Sequence, residues 1–151
     1  MAEYEVVRRA VVAADPSRVH GLIANYREWP KWSPWEDIDP GMERVYSGPE
    51  SGVGARYSWS GNRKAGAGSM ETVTDTEREI GIRLEFTKPF KSTSKLTFRL
   101  TPADGGTEVV WRMDGEQKGL MAVVGKVIKM DRLIGKDFEK GLARLQAAVR
   151  A

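Results

Sequence analysis

The middle of the chain alternates. Val53, Ala55, Tyr57 and Trp59 are separated by Gly54, Arg56 and Ser58, and Gly68, Met70 and Thr72 share one side of the next segment. Ile80, Ile82, Leu84 and Phe86 alternate with Gly81, Arg83 and Glu85, the cleanest such run in the sequence. Leu96, Phe98 and Leu100 follow, then Thr107, Val109, Trp111 and Met113 against Glu108, Arg112 and Asp114. A period of two puts one set of side chains on each face of a strand. Gly61-Asn62-Arg63-Lys64 and Asp104-Gly105-Gly106 read as turns, so the pattern predicts closely spaced strands in an antiparallel meander. The Val-rich stretch Tyr4–Ala13 adds a strand at the start.

Two other stretches follow a helical period. Asp15 is placed to cap a helix with Pro16 at its first position, and Val19, Leu22, Ile23 and Tyr26 fall on one face, which predicts a short helix to about Asn25. Pro30 and Pro34 forbid its extension, so Tyr26–Pro34 predicts a second short helix and then a loop. From about Leu120 to Arg150, Val123, Val127, Met130, Ile134, Phe138, Leu142 and Leu145 line one face of a long helix, where Gly125, Gly135 and Gly141 weaken it or allow close packing. A sheet with one apolar face and a long amphipathic helix must cover each other. The predicted class is α+β, a single domain over residues 1–151 with the last helix across the concave side of the sheet.

Composition narrows the chemistry. Hydrophobic residues make up 40% and charged residues 30%, as in ordinary globular proteins. No apolar run approaches the roughly 20 residues that span a bilayer, and the acidic Met1–Glu5 start lacks the pattern of a signal peptide, so the chain reads as cytoplasmic. The absence of cysteine removes disulfides, thiolate metal sites and cysteine nucleophiles. With His20 as the single histidine, a multi-imidazole metal site is excluded, and no serine nucleophile motif accompanies it. Proton transfer would fall to Asp, Glu, Tyr, Lys or water. A net charge of +3 without a dense basic and aromatic patch argues against nucleic acid as a partner.

Several residues stand out against this background. Trp29, Trp32 and Trp35 either pack the short helices on the sheet or wall a pocket mouth. Trp59 and Trp111 lie on inward strand faces, where core packing and pocket lining are equally compatible. Gly66-Ala67-Gly68 lacks the Lys-Ser/Thr of a phosphate loop and reads as a turn or a close backbone approach. Lys126, Lys129, Lys136, Lys140 and Arg144, with Arg132 at the edge, form a basic stripe opposite the apolar face: a solvated surface, or a contact for anionic headgroups or a partner. His20 reads as a surface or edge residue, and one of Arg8 and Arg9 must point toward the helix side. Asp131 projects among Val127, Ile134 and Phe138, where a carboxylate needs a partner or a raised pKa.

The ordered set Trp59-Ser60-Gly61-Asn62, Gly66-x-Gly68-x-Met70, Leu84-Glu85-Phe86 with Pro89-Phe90, Gly106-Thr107-x-Val109-x-Trp111-x-Met113-x-Gly115, Met130-Asp131 and Phe138-Glu139-x-Gly141-Leu142 resembles the SRPBCC (START-like) superfamily, in particular its polyketide cyclase/dehydrase-like branch. The likeness runs through nearly the whole chain. It implies a helix-grip fold: a curved antiparallel sheet of about seven strands, two short helices and one long C-terminal helix around a pocket for a hydrophobic small molecule. Combined with the alternation above, it places Tyr57, Trp59, Met70, Thr72, Leu84, Phe86, Phe98, Trp111, Met113, Met130, Asp131 and Ile134 in that pocket, with Asp131 and Tyr57 as candidate catalytic groups. It implies no cofactor and no metal. The implied function is binding of a lipid or polyketide-like molecule, with cyclase or dehydratase activity left open. The alternatives within the superfamily are a non-enzymatic lipid carrier or sensor, and a protein-interaction module, co-chaperone-like or ribosome-associated. Neither the ligand nor the oligomeric state is specified by the resemblance, because a shared fold does not transfer chemistry.

Overall fold

A computed structural model describes residues 2–35, 41–62, 66–88, 91–117 and 124–150, and the side chains within 5–35, 41–62, 66–88, 91–115 and 134–150. In chain order the elements are β1 (Ala2–Val12), α1 (Pro16–Ala24), a 3-10 helix (Tyr26–Lys31), β2 (Glu43–Ser47), β3 (Arg56–Ser60), β4 (Ala67–Asp75), β5 (Glu79–Lys88), β6 (Ser92–Ala103), β7 (Gly106–Gln117) and α2 (Val124–Ala148). The strands form one antiparallel sheet in the order β1-β7-β6-β5-β4-β3-β2, so the first strand closes on the last and β2 is the far edge.

Alternation decides which face is inner. Met70 and Thr72 of β4, Ile80, Ile82 and Leu84 of β5, Leu96, Phe98 and Leu100 of β6, and Val109, Trp111 and Met113 of β7 are buried. The outer face carries cross-strand ion pairs such as Arg56–Glu71 and Arg83–Glu71. The register between β4 and β5 shifts at Thr72/Thr74, a bulge that leaves Val73 facing outward and bends the strand, as the extra residue of a bulge does. The long helix α2 packs chiefly along β1, with contacts to β7 and the 3-10 helix. Its Phe138, Leu142 and Leu145 are buried, the face expected from the period. The Gln146 amide secures the seam at the sheet edge. It accepts from Ala13 N at 2.8 Å and donates to Val11 O at 3.0 Å.

Two local expectations change. The strand expected from Val53 begins only at Arg56, because Gly52 and Gly54 have φ of +90° and +97°, a turn conformation; Val53 is 62% exposed. Strand β2, the far edge, alternates in cover: Arg44 and Tyr46 are half-buried, whereas Glu43, Val45 (59% exposed) and Ser47 face outward. Asp15 precedes α1 but makes no side-chain cap; its carbonyl accepts from Arg18 N and Val19 N instead. Arg63 and Lys64 of the expected hairpin tip, and Leu120 at the expected helix start, lie outside the described residues. The flanks of that tip are tied by Gly61 N donating to Gly66 O at 2.9 Å.

Candidate functional site

The space between sheet and helices is packed unequally along the sheet. Toward β1, β7 and the C-terminal half of α2 it is filled by aromatic rings. Phe138 of α2 lies flat on Trp111 of β7, with centroids 4.0 Å apart and planes 6° from parallel. Trp32 and Trp35 stand edge-on to Trp111 at 5.5 and 5.6 Å, and Trp29 and Trp32 stand edge-on to Phe98 at 6.1 and 5.9 Å. The indole N–H of Trp29 donates to Ile23 O at 2.8 Å and that of Trp32 to Leu22 O at 2.7 Å. These bonds tie the end of α1 to the 3-10 helix and satisfy donors that burial would otherwise strand. Trp35 is half-buried and donates to Asp137 on α2 at 3.1 Å. Of the two readings of this tryptophan segment, packing of the short helices describes Trp29 and Trp32. Phe98 and Trp111 have no exposed surface. Trp111 Nε1 finds no acceptor among the described residues.

Toward β3, β4 and β5 the inner face is more open. Tyr57 and Trp59 of β3 are stacked at 6.1 Å, and Phe86 of β5 meets Trp59 edge-on at 5.4 Å. Between Trp59 and Phe86 in register sits Gly68 of β4. A Cβ there would lie 2.8 Å from the Trp59 ring and closer still to the Glu85 carbonyl, so glycine is what lets the indole lie across β4. This is the close approach expected for the Gly66-Ala67-Gly68 run, and Gly66 takes the turn, with φ of +66°. Trp59 and Phe86 remain only partly buried, while Tyr57, Met70 and Leu84 are buried beside them and Met113 is buried on β7.

Polar groups on this face come from distant parts of the chain. Thr72 is 1% exposed and its hydroxyl is 2.8 Å from the Tyr26 hydroxyl, which is 2% exposed. The Tyr26 ring stacks on Tyr57 at 6.0 Å. Burial pushes the Tyr26 phenol well above its ordinary range, the Thr72 hydrogen bond pulls it back in part, and Glu71 adds a smaller upward push. Ser94, buried and opposite Leu84 in register, is a further polar residue here. Sequence reasoning did not single out Tyr26 or Ser94 as site residues. The signal for Ser94 was its place two residues before Leu96 on an alternating strand; for Tyr26 it was the shared face with Val19, Leu22 and Ile23.

The other candidates fall as follows. Ile134 is half-buried on α2 against the core. Met130 and Asp131 belong to α2, but their side chains lie outside those described, as do Val127, Lys126, Lys129 and Arg132; Val123 lies outside the described residues. Of the adjacent arginines, Arg8 points to the helix side: its Nε donates to Glu139 Oε2 at 3.0 Å, and its guanidinium lies against Gly135. Arg9 is exposed. Lys136 and Lys140 are exposed, whereas Arg144 turns back to donate to Ser33 O at 3.2 Å. His20 is partly buried, with Nε2 2.5 Å from Asp75 Oδ1, joining α1 to the end of β4. Ser17 lines the same open cleft as His20 and Asp75. No group of three or more metal-ligating side chains occurs among the described residues.

A curved antiparallel sheet with one long C-terminal helix laid along it and two short helices at its end defines a helix-grip domain. The family model for polyketide cyclase/dehydrase and lipid transport proteins matches residues 3–150, and the chain belongs to that family, within the SRPBCC superfamily. Binding of hydrophobic ligands is general to it. Solved structures share the fold. Protein CV1439 from Chromobacterium violaceum is 15% identical with a TM-score of 0.70, covering 97% of each chain. SA2116 from Staphylococcus aureus, a protein of unknown function, is 10% identical with a TM-score of 0.71, over 99% of this chain and 94% of that one. Ara h 8.0201 is 11% identical with a TM-score of 0.68, over 99% of this chain and all of the other. Among curated protein sequences, none matches. No described helix is long and apolar enough to cross a membrane.

Proposed function

We propose that the protein binds an apolar small molecule, lipid or polyketide-like, on the inner face of the sheet at the end formed by β3, β4 and β5. The observation that carries this reading is the row Tyr57–Trp59–Phe86, with Trp59 and Phe86 left partly exposed on the concave side. Large flat apolar rings held on a rigid sheet and incompletely covered are what pockets for apolar ligands are built from. Met70, Leu84 and Met113 continue that wall, Thr72 gives it a polar point, and Ile134, Met130 and Asp131 belong to the helix that faces the sheet. Phe98 and Trp111 form the closed inner end, where the aromatic cluster stops a ligand from going deeper.

If the chain is a cyclase or dehydratase, its pocket contributes mainly by holding a flexible substrate folded so that the reacting carbons meet. One positioned acid or base, with Tyr57 and Asp131 as candidates, assists enolisation or loss of water. A carrier or sensor needs the same wall without that group. The test is native mass spectrometry of gently purified protein, together with titration of anilinonaphthalene sulfonate. A retained apolar mass, or a probe displaced by hydrophobic ligands, supports the reading. Protein that keeps no mass and binds no probe overturns it.

A further inference from the structure

Two buried hydroxyls that bond to each other cannot both be satisfied by that bond. Each carries one proton to donate. Whichever of Tyr26 and Thr72 donates across their 2.8 Å contact, the proton of the other remains. Neither residue makes a further side-chain hydrogen bond among the described residues: the backbone of Thr72 is engaged with Ala55 and Gly54, and the Tyr26 ring with Trp29 and Tyr57. One O–H donor therefore has no acceptor among the described residues, in a place where both residues are at most 2% exposed. Leaving such a donor unmet is destabilising, whereas Phe and Val would fill the same space at almost no cost.

Position gives the spare proton a use. Thr72 follows Met70 by two residues on β4, so both point to the same inner face. Met70 pairs in register with Tyr57, which stacks on Tyr26. The hydroxyl pair thus ends the aromatic row Tyr57–Trp59–Phe86.

We propose that the Tyr26–Thr72 pair is the polar end of the pocket, and that the ligand presents a hydrogen-bond acceptor, a ketone or similar carbonyl oxygen, to its unpaired proton. The inference rests on the pocket reading above and adds to it the class of ligand: apolar along the aromatic row, with a hydrogen-bond acceptor at this end. The elevated Tyr26 pKa agrees with this arrangement, because the phenol stays a neutral donor at any physiological pH.

The test uses a matched pair of planar tricyclic probes, fluorene and fluorenone, which differ by one carbonyl. Each is titrated as a competitor of anilinonaphthalene sulfonate against the wild-type chain and against Tyr26→Phe/Thr72→Val. The affinity ratio of fluorenone to fluorene should fall roughly 3- to 10-fold in the double variant, the factor of one ordinary hydrogen bond. A second readout needs no variant: the infrared carbonyl stretch of fluorenone bound to the wild-type chain should sit at the lower frequency of an alcohol-bonded ketone. An unchanged ratio, or a carbonyl stretch like that in an alkane, overturns the proposal while leaving the pocket in place, and assigns the hydroxyl pair to structure alone. Failure of both probes to bind overturns the pocket reading itself, and this inference with it.

Discussion

Replacing Gly141 and Gly21 by alanine should have opposite effects on stability. Both lie in helices, α2 and α1, where alanine is favoured over glycine by about 1 kcal/mol. At Gly21 nothing stands within 4 Å of the added methyl, so Gly21→Ala should recover most of that gain. At Gly141 the methyl would lie 2.8 Å from the Trp111 ring and 3.0 Å from Pro34 Cδ. Neither neighbour can move aside. Trp111 is clamped by Phe138 on one face at 4.0 Å, by Phe98 at 4.9 Å and by the edges of Trp32 and Trp35, and Pro34 is a ring in the backbone. The helix must therefore lift, loosening the seam of Phe138, Leu142 and Leu145. Overpacking of this kind costs about 1–3 kcal/mol, which cancels or exceeds the propensity gain. Gly141→Ala should thus be less stable than Gly21→Ala by about 1–3 kcal/mol, roughly 2–10 °C in melting temperature for a domain of this size. Urea and thermal unfolding followed by tryptophan fluorescence measure the difference. A Gly141→Ala protein as stable as Gly21→Ala would refute the close docking of α2 on Trp111.

The remaining predictions concern the other half of the sheet and its edge. Gly68→Ala should push Trp59 off β4, changing its fluorescence and weakening anilinonaphthalene sulfonate binding; unaltered emission and binding would show that the indole does not lie there. Gln146→Ala removes two hydrogen bonds to the edge of β1 and should cost about 1–3 kcal/mol in urea unfolding, with faster amide exchange at Ala13. The raised phenol of Tyr26 has a definite sign: above its unfolded pKa near 10 the denatured chain releases the proton and the native chain keeps it, so stability falls with rising pH. In that alkaline window Tyr26→Phe should lose stability less steeply than wild type, by up to about 1.4 kcal/mol per pH unit, and equal slopes would contradict the burial of the phenol.

How much of this protein could be read from its order of residues depends on what each pattern encodes. The period of two assigned Met70, Thr72, Leu84, Phe98, Trp111 and Met113 to the inner face, and the helical period assigned Phe138, Leu142 and Leu145, because side-chain direction follows from backbone geometry within one element. Strand β2 escaped that logic because its half-buried face carries Arg44 beside Tyr46 while Val45 faces outward, so its burial alternates but its hydrophobicity does not. The false start at Val53 arose because alternation in composition does not reveal the positive φ of Gly52 and Gly54.

The pairings between elements were set elsewhere. Tyr26 meets Thr72 across 46 positions and His20 meets Asp75 across 55, and neither contact has a local signature. Gly68 reads as a turn or close approach by itself, but only the register of β3, β4 and β5 shows that Trp59 is what approaches it. A periodic pattern states which side of an element is buried. Which residues of another element arrive on that side depends on strand register, the bend at the Thr72/Thr74 bulge and the docking of α1, the 3-10 helix and α2, and these are settled by packing the whole chain at once.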